Sequence, residues 1–300
     1  MNGSRRDSIP RSAFLSHLRP APLDVRWLLR KYGLRPDKAL GQNFLIDPAS
    51  LRRVVEAADL TGDEIVLEIG AGLGSLTRCL APVSERVVAV EFDRRLIPPL
   101  EESIASLTNV TIVNDDILRL DLGHLMGGES YRVVANIPYN ITSTLIRQLM
   151  EAPHPSRLIV LTLQREVAER IVSGPGEMSL LALSVGVYGR PSLHGRIAAE
   201  AFYPRPGVDS TVLRIDVDDT PRVAPTMIDP IFELARAGFG QKRKKLVNAL
   251  ASGLDESRSV VAGWLEVAGI PATARAQELT VQAWEGLARA RQGVGQGEGS

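Results

Sequence analysis

Cysteine is almost absent from this chain: Cys79 is the only one in 300 residues. A disulfide framework and a cysteine-rich zinc site are therefore both excluded. Cys79 falls among Leu76, Leu80 and Ala81 in a helical pattern, where a buried structural thiol fits better than a nucleophile. The four histidines, His17, His124, His154 and His194, are scattered without metal-ligand spacing, so no metal is expected. Net charge is lacking as well. Basic and acidic residues both number 35, and no global basicity announces a polyanionic partner. No apolar run reaches membrane-spanning length, and the first residues lack the apolar core of a secretory signal. Hydrophobic residues are not scarce: at 44%, with 23% charged, they describe an ordinary globular protein.

The charge that is present is unevenly spread. Residues 1–46 carry nine Arg/Lys against three Asp/Glu, and Lys242, Arg243, Lys244 and Lys245 form a second basic cluster. Local basic surface on a neutral protein can track phosphates, although solvated faces give the same composition. The first 30 residues are Arg- and Ser-rich, a faint transit-peptide feature. A cytoplasmic, monomeric enzyme with an extra basic arm is the expectation.

Order along the chain alternates. Residues 23–33 form an amphipathic pattern stopped by Gly33. Asp47-Pro48 opens another helix, with Asp47 as N-cap and proline in the first turn. Strand patterns follow at 65–69, 86–91, 110–113, 131–135 and 158–163, with helical segments between them. Continuous β-branched runs alternating with helices predict a parallel, doubly covered α/β sheet of Rossmann-like type. Residues 210–217 alternate as an antiparallel strand near the sheet edge would. From residue 226 to 290 only helical patterns occur. The expected organisation is a basic extension at 1–35, an α/β catalytic domain at 36–219, a helical RNA-binding domain at 220–290, and a Gly-rich disordered tail at 291–300.

The turn Glu68-Ile69-Gly70-Ala71-Gly72-Leu73-Gly74 follows the first long strand and opens a helix. Glycines here allow close backbone approach to a ligand. The dinucleotide fingerprint needs a glycine where Ser75 stands, which disfavours a dehydrogenase. The spacing, with an acid ahead of the glycines, suits S-adenosylmethionine, and Gly70 and Gly72 become candidate contacts. Glu91 ends the next strand, where a carboxylate can accept hydrogen bonds from a ribose diol. Asp115 and Asp116 end the one after, where either could meet an adenine amine or simply form a solvated turn. Asn136-Ile137-Pro138-Tyr139 then follows the 131–135 strand. The 6-amino nitrogen of adenine is a poor nucleophile, because its lone pair is delocalised into the ring. Two acceptors, the Asn136 side-chain oxygen and the Ile137 carbonyl, could grip its two N–H groups and favour a pyramidal nitrogen. Ile137 precedes proline, which restricts it to extended forms and aims its carbonyl. Tyr139 could stack on the base, worth roughly 1–3 kcal/mol. An Asx-Pro turn leaving a strand is the plainer explanation of such a string alone.

With these strings the chain resembles the ribosomal RNA adenine dimethyltransferases, from about Lys38 to Trp284, and in particular their bacterial small-subunit members. Lys38-Ala39-Leu40-Gly41-Gln42-Asn43-Phe44-Leu45 matches the family's first motif. The resemblance implies cofactor contacts at Asn43, Leu45, Gly70, Glu91, Asp116 and Asn136, with Asp116 preferred over Asp115 because Asp116-Ile117-Leu118 fits the family pattern. It implies that Phe202, in the loop from Phe202 to Ser210, packs near the target adenine. It also implies dimethylation of two adjacent adenosines in the 3′-terminal hairpin of 16S ribosomal RNA, with the small ribosomal subunit as partner. Phe239–Leu246, Arg275–Leu279 and Gln164–Arg170 fit the small-subunit branch. Departures are Ile137, where many relatives carry Leu, and Leu180-Leu181, where relatives carry Tyr-Gly. A large-subunit (23S) enzyme of the macrolide-resistance type, and a non-catalytic assembly or mitochondrial transcription factor on the same fold, remain alternatives.

Overall fold

A computed structural model describes residues 21–137, 141–152, 156–241 and 243–295. The elements run α1 (Val25–Lys31), β1 (Phe44–Leu45), α2 (Pro48–Ala57), β2 (Ile65–Ile69), α3 (Thr77–Leu80), β3 (Arg86–Glu91), α4 (Ile97–Ile104), β4 (Val110–Asn114) and α5 (Leu122–Leu125). They continue with β5 (Tyr131–Asn136), α6 (Thr142–Glu151), β6 (Leu158–Gln164), α7 (Arg165–Val172), α8 (Leu180–Tyr188), β7 (Gly189–Ile197), β8 (Phe202–Tyr203) and β9 (Ser210–Val217). Four helices close the chain: α9 (Ile228–Phe239), α10 (Leu246–Leu254), α11 (Arg258–Val267) and α12 (Val281–Gly295).

Seven strands form one sheet in the order β4-β3-β2-β5-β6-β9-β7. The pairs from β4 to β6 are parallel, while β9 runs antiparallel to both β6 and β7. Every residue of β2 is buried, because alternate side chains enter different cores. Ile65, Leu67 and Ile69 join Val133, Ala135 and the helix residues Leu145 and Leu149 on one face. Val66 joins Val87, Val134, Val54 and Leu80 on the other. A strand buried on both faces needs a continuous apolar run, which is what the sequence showed.

The remaining strands complete the picture. The antiparallel strand expected near the edge is β9, one place inside it. The outermost strand is β7, whose residues include Arg190, Pro191, Ser192, His194 and Arg196. It escaped sequence reasoning because an edge strand with solvent on one side carries little apolar signal. Asp47 caps α2 by accepting from the Ser50 amide at 2.8 Å, with Pro48 in the first turn. Helices α9 to α12 enclose Trp264, Trp284, Leu246 and Leu250 in a third core. Leu183 and Val187 of α8 belong to that same core, so it continues onto the sheet's own helices. The last helix runs to Gly295, a correction for residues 291–295 of the disordered tail expected at 291–300, whose residues 296–300 lie outside the described residues. A glycine-rich composition only weakens a helix by about 1 kcal/mol per residue, and the packing of Leu287, Ala288 and Ala290 onto the third core stabilises the segment. Among the described residues, no helix is long and apolar enough to cross a membrane.

Candidate active site

The parallel strands β2, β3, β4 and β5 lie side by side, and their carboxyl ends open into a cavity of about 240 Å³. Segments 40–44, 90–92 and 115–118 contribute its walls, with Ile69, Gly70, Gly72, Leu96, Asn136, Ile137 and Ile141. The crevice outside the carboxyl ends of such strands is where doubly wound sheets hold ligands.

The glycine turn forms the floor. Gly70 and Gly72 have φ of 76° and 58°, a left-handed region that other residues rarely adopt. At Gly72 a Cβ would also press on the Phe44 ring at 3.1 Å. The Gly72 N–H donates to Glu91 Oε2 at 2.7 Å, and the Asp93 N–H donates to Glu91 Oε1 at 2.8 Å. These bonds anchor a carboxylate that burial pushes up in pKa while the two amides draw it down. Each oxygen can still accept a further hydrogen bond, and Glu91 lines the cavity. Beside it stands Phe92, 59% exposed despite its size, which also lines the cavity. Sequence reasoning passed over Phe92. The available signal was an aromatic directly after an acid that ends a strand.

Asn136, at the end of β5, donates from Nδ2 to the Asn43 carbonyl at 3.1 Å. That bond orients the amide so that Oδ1 is its acceptor atom. Asn43 in turn donates from Nδ2 to the Gly41 carbonyl at 3.1 Å. The segment 37–45 is pinned across the cavity by a network that residue patterns did not reveal. Gln42 donates to Asp93 Oδ2 at 2.7 Å and accepts from the Asp37 amide at 2.8 Å. Arg95 bridges Asp93 and Asp37 at 2.8 and 3.1 Å. The Arg95 guanidinium, with Gln42, holds the Asp93 carboxyl below the usual carboxylate range. Asp93 therefore caps the turn after β3 and also ties down the first motif.

The expected site residues separate into groups. Asn43, Gly70, Gly72, Glu91, Asp116, Asn136 and Ile137 all line the cavity, as does Asp115. Asp116 accepts from the Leu118 amide at 3.0 Å, and Asp115 from the Asp116 amide at 2.7 Å. Leu45 and Phe202 are not among the lining residues. They pair with each other across the β1–β8 ladder and lie in the core beneath. Phe202 is only 3% exposed, so in this conformation it supports the wall from behind. Arg243, Lys244 and Lys245 are exposed, just ahead of α10. Pro138, Tyr139 and Lys242 lie outside the described residues. Glu68, the acid ahead of the glycines, is absent from the lining. Its side chain is buried on the opposite face of β2, beside Thr77. Cys79, also nearby, has its thiol pushed up to about 11 by burial, which leaves it unreactive at neutral pH. Among the described residues no group of three or more His, Cys, Asp or Glu could hold a metal ion.

An α/β sheet with a strand-end cavity, a glycine floor and acids at two strand ends defines the class of nucleotide-cofactor enzymes with a Rossmann-like fold. A family model described as ribosomal RNA adenine dimethylase matches residues 34–284, and the chain belongs to that family. A relative from Dehalococcoides mccartyi, the ribosomal RNA small subunit methyltransferase A, is 41% identical over 261 residues, covering 87% of this chain and 90% of the relative. A protein of the same name from Alkaliphilus oremlandii is 36% identical over 275 residues, covering 89% and 96%. Among solved structures, the 23S rRNA methyltransferase ErmE matches with a TM-score of 0.67 at 26% identity, covering 83% of this chain and 99% of that one. A dimethyladenosine transferase from Plasmodium falciparum matches with a TM-score of 0.69 at 23% identity, covering 81% and 95%, a likeness of fold.

Proposed function

We propose that this chain dimethylates the 6-amino groups of two adjacent adenosines in the 3′-terminal hairpin of 16S ribosomal RNA. S-adenosylmethionine would be the methyl donor, supplying an electrophilic methyl carried on a cationic sulfur. The cavity suits an adenosine-bearing donor. It has a buried carboxylate at Glu91 for a ribose diol and a second carboxylate at Asp116 for an exocyclic amine. Phe92, Leu96 and Ile117 give the same cavity apolar walls. Gly72 leaves the approach open where any side chain would strike Phe44.

The observation that carries the proposal is the Asn43–Asn136 bond, which commits the Asn136 amide nitrogen and turns its oxygen into an acceptor. Oδ1 of Asn136 and the Ile137 carbonyl then offer two acceptors to the two N–H groups of a target adenine. Accepting from both favours a pyramidal nitrogen with its lone pair turned towards the donor. Positioning of this kind can replace several kcal/mol of activation entropy, up to about 7–11 in well-oriented cases. Tyr139 keeps its assignment as the stacking residue on the sequence pattern. Residues 36–219 would carry the chemistry. The helical region, with Lys242, Arg243, Lys244 and Lys245, would hold RNA of the small subunit in the cytoplasm, the chain acting as a monomer.

The test supplies labelled donor with purified, unmethylated small and large ribosomal subunits and maps the label. Label on two neighbouring adenosines of the small-subunit hairpin is expected. Label on large-subunit RNA instead would overturn the target assignment, and no label on either would overturn the activity.

A further inference from the structure

We infer that the outer face of α1 is a landing surface for the single-stranded RNA that flanks the target adenosine. The inference rests on the proposed RNA substrate but concerns a surface outside the cavity. It also lies outside the stretch that the family model covers, which starts at residue 34.

The helix has two sharply different sides. Val25, Leu28 and Leu29 are buried and pack with Phe44, Leu73 and Leu96, of which Phe44 and Leu96 line the cavity. The residues left outside are Arg26, Trp27, Arg30 and Lys31, each exposed. All four are cationic or aromatic and none is acidic. Trp27 is 48% exposed, whereas Trp264 and Trp284 are buried at 3% and 0%. On its seven-residue helix, Trp27 belongs to none of the core clusters among the described residues and presents its indole to solvent among three cations.

The cations are arranged around rings. The Arg26 guanidinium lies over the Tyr203 ring, 4.8 Å from its centroid, and the Lys31 ammonium lies 5.0 Å from the centroid of Trp27. Lys31 also pairs with Glu102, which holds it in place and diminishes its contribution to the net charge. Aromatic faces interleaved with cations are what a sequence-tolerant single-strand surface requires: bases stack while the cations follow phosphates. Position supports RNA over other polyanions. Tyr203 sits opposite Phe44 in the β1–β8 ladder, so the platform adjoins the wall of the cavity into which the base must turn. Nucleotides on either side of a base turned out of its strand must lie on nearby protein surface.

Trp27 supplies its own readout, being the exposed one of three tryptophans. The probe is a protein-free hairpin RNA with single-stranded flanks, titrated into the full chain while tryptophan emission is followed; a blunt duplex serves as control. Quenching by the flanked hairpin and not by the duplex is expected. Trp27→Ala should raise KM for unmethylated small subunits about tenfold with kcat unchanged. Arg26→Ala with Arg30→Ala should lower the salt slope of RNA binding by about 1.4, for two contacts to a single strand. These side chains lie outside the core, so unfolding midpoints should not move. Active enzyme with unquenched Trp27 and an unaltered KM in the variants would overturn the inference and leave the methylation reading standing. Quenching by whole small subunits but not by the RNA alone would mean that the surface meets a protein, and would overturn it too. Quenching in a chain that methylates neither subunit would instead remove the activity and keep the surface.

Discussion

Glu68 offers a prediction in which the sign and the size both come from the structure. Its side chain is 1% exposed, and burial, with the neighbouring Glu91 charge adding to it and Thr77 opposing, pushes its pKa from 4.5 up to about 8. The folded protein therefore binds this proton across a pH range in which the unfolded chain has released it. The contribution of Glu68 to stability falls as pH rises from about 4.5 to about 8, because at this group the folded state binds more protons throughout that window. At about 1.4 kcal/mol per pH unit, the loss over the whole window is on the order of 5 kcal/mol. Glu68→Gln places a neutral group of the same shape there and removes the slope. Denaturant unfolding at pH 5 should find the two proteins close. At pH 9 the variant should be more stable by several kcal/mol, with the gap widening steadily between. Titrating groups distant from position 68 are common to both proteins and cancel in the difference. Parallel pH profiles would refute the claim that Glu68 is held neutral, and a variant less stable at pH 9 would show that the charge is welcomed rather than tolerated.

Other substitutions probe the site and its frame. Asn136→Ala should abolish methyl transfer and cost about 1 kcal/mol of stability for the missing bond to Asn43, checked by turnover and by unfolding on the same preparation. Gly74 has φ of 86°, and a Cβ there would press on Ser103 and on Leu100 at 3.0 Å. Gly74→Ala should therefore destabilise by roughly 2–5 kcal/mol, from left-handed strain plus overpacking, read as a shifted denaturation midpoint. Replacing Lys242, Arg243, Lys244 and Lys245 with neutral residues should weaken RNA binding and reduce its salt slope by about 0.7–0.9 for each phosphate no longer neutralised. An unaltered slope would place the cluster in solvent.

What could be read without coordinates follows the physics of each element. Buried parallel strands such as Ile65–Ile69 and Leu158–Gln164 announce themselves, because both faces demand apolar residues and the run is unbroken. Edge strand β7 and the two-residue strands β1 and β8 carry no such signal. The strand-end acids and the glycine turn were visible because spacing after a strand constrains where a side chain can be. Burial was harder to foresee. Leu45 and Phe202 belong to motifs that suggest ligand contact, yet their mutual pairing sends both side chains into the core. Glu68 shows the same limit, since pleat parity alone puts it on the face opposite to Leu67 and Ile69.

The cavity is also a long-range construction. Asn136 is oriented by a carbonyl 93 residues earlier in the chain, and the segment holding that carbonyl is itself tied to Asp93 through Gln42. Local patterns locate each of these residues at the end of an element. They cannot say that an amide in one motif takes its orientation from the backbone of another. That dependence makes the first motif part of the chemistry: Gln42→Ala removes the direct bond from the 37–45 segment to Asp93 and leaves only the Arg95 bridge between Asp93 and Asp37, so the carbonyl that turns the Asn136 oxygen outward is held less firmly. The expected consequence is a fall in kcat with Asn43, Glu91, Asp116 and Asn136 all intact. A variant with normal kcat would show that Asn136 keeps its orientation without that tether.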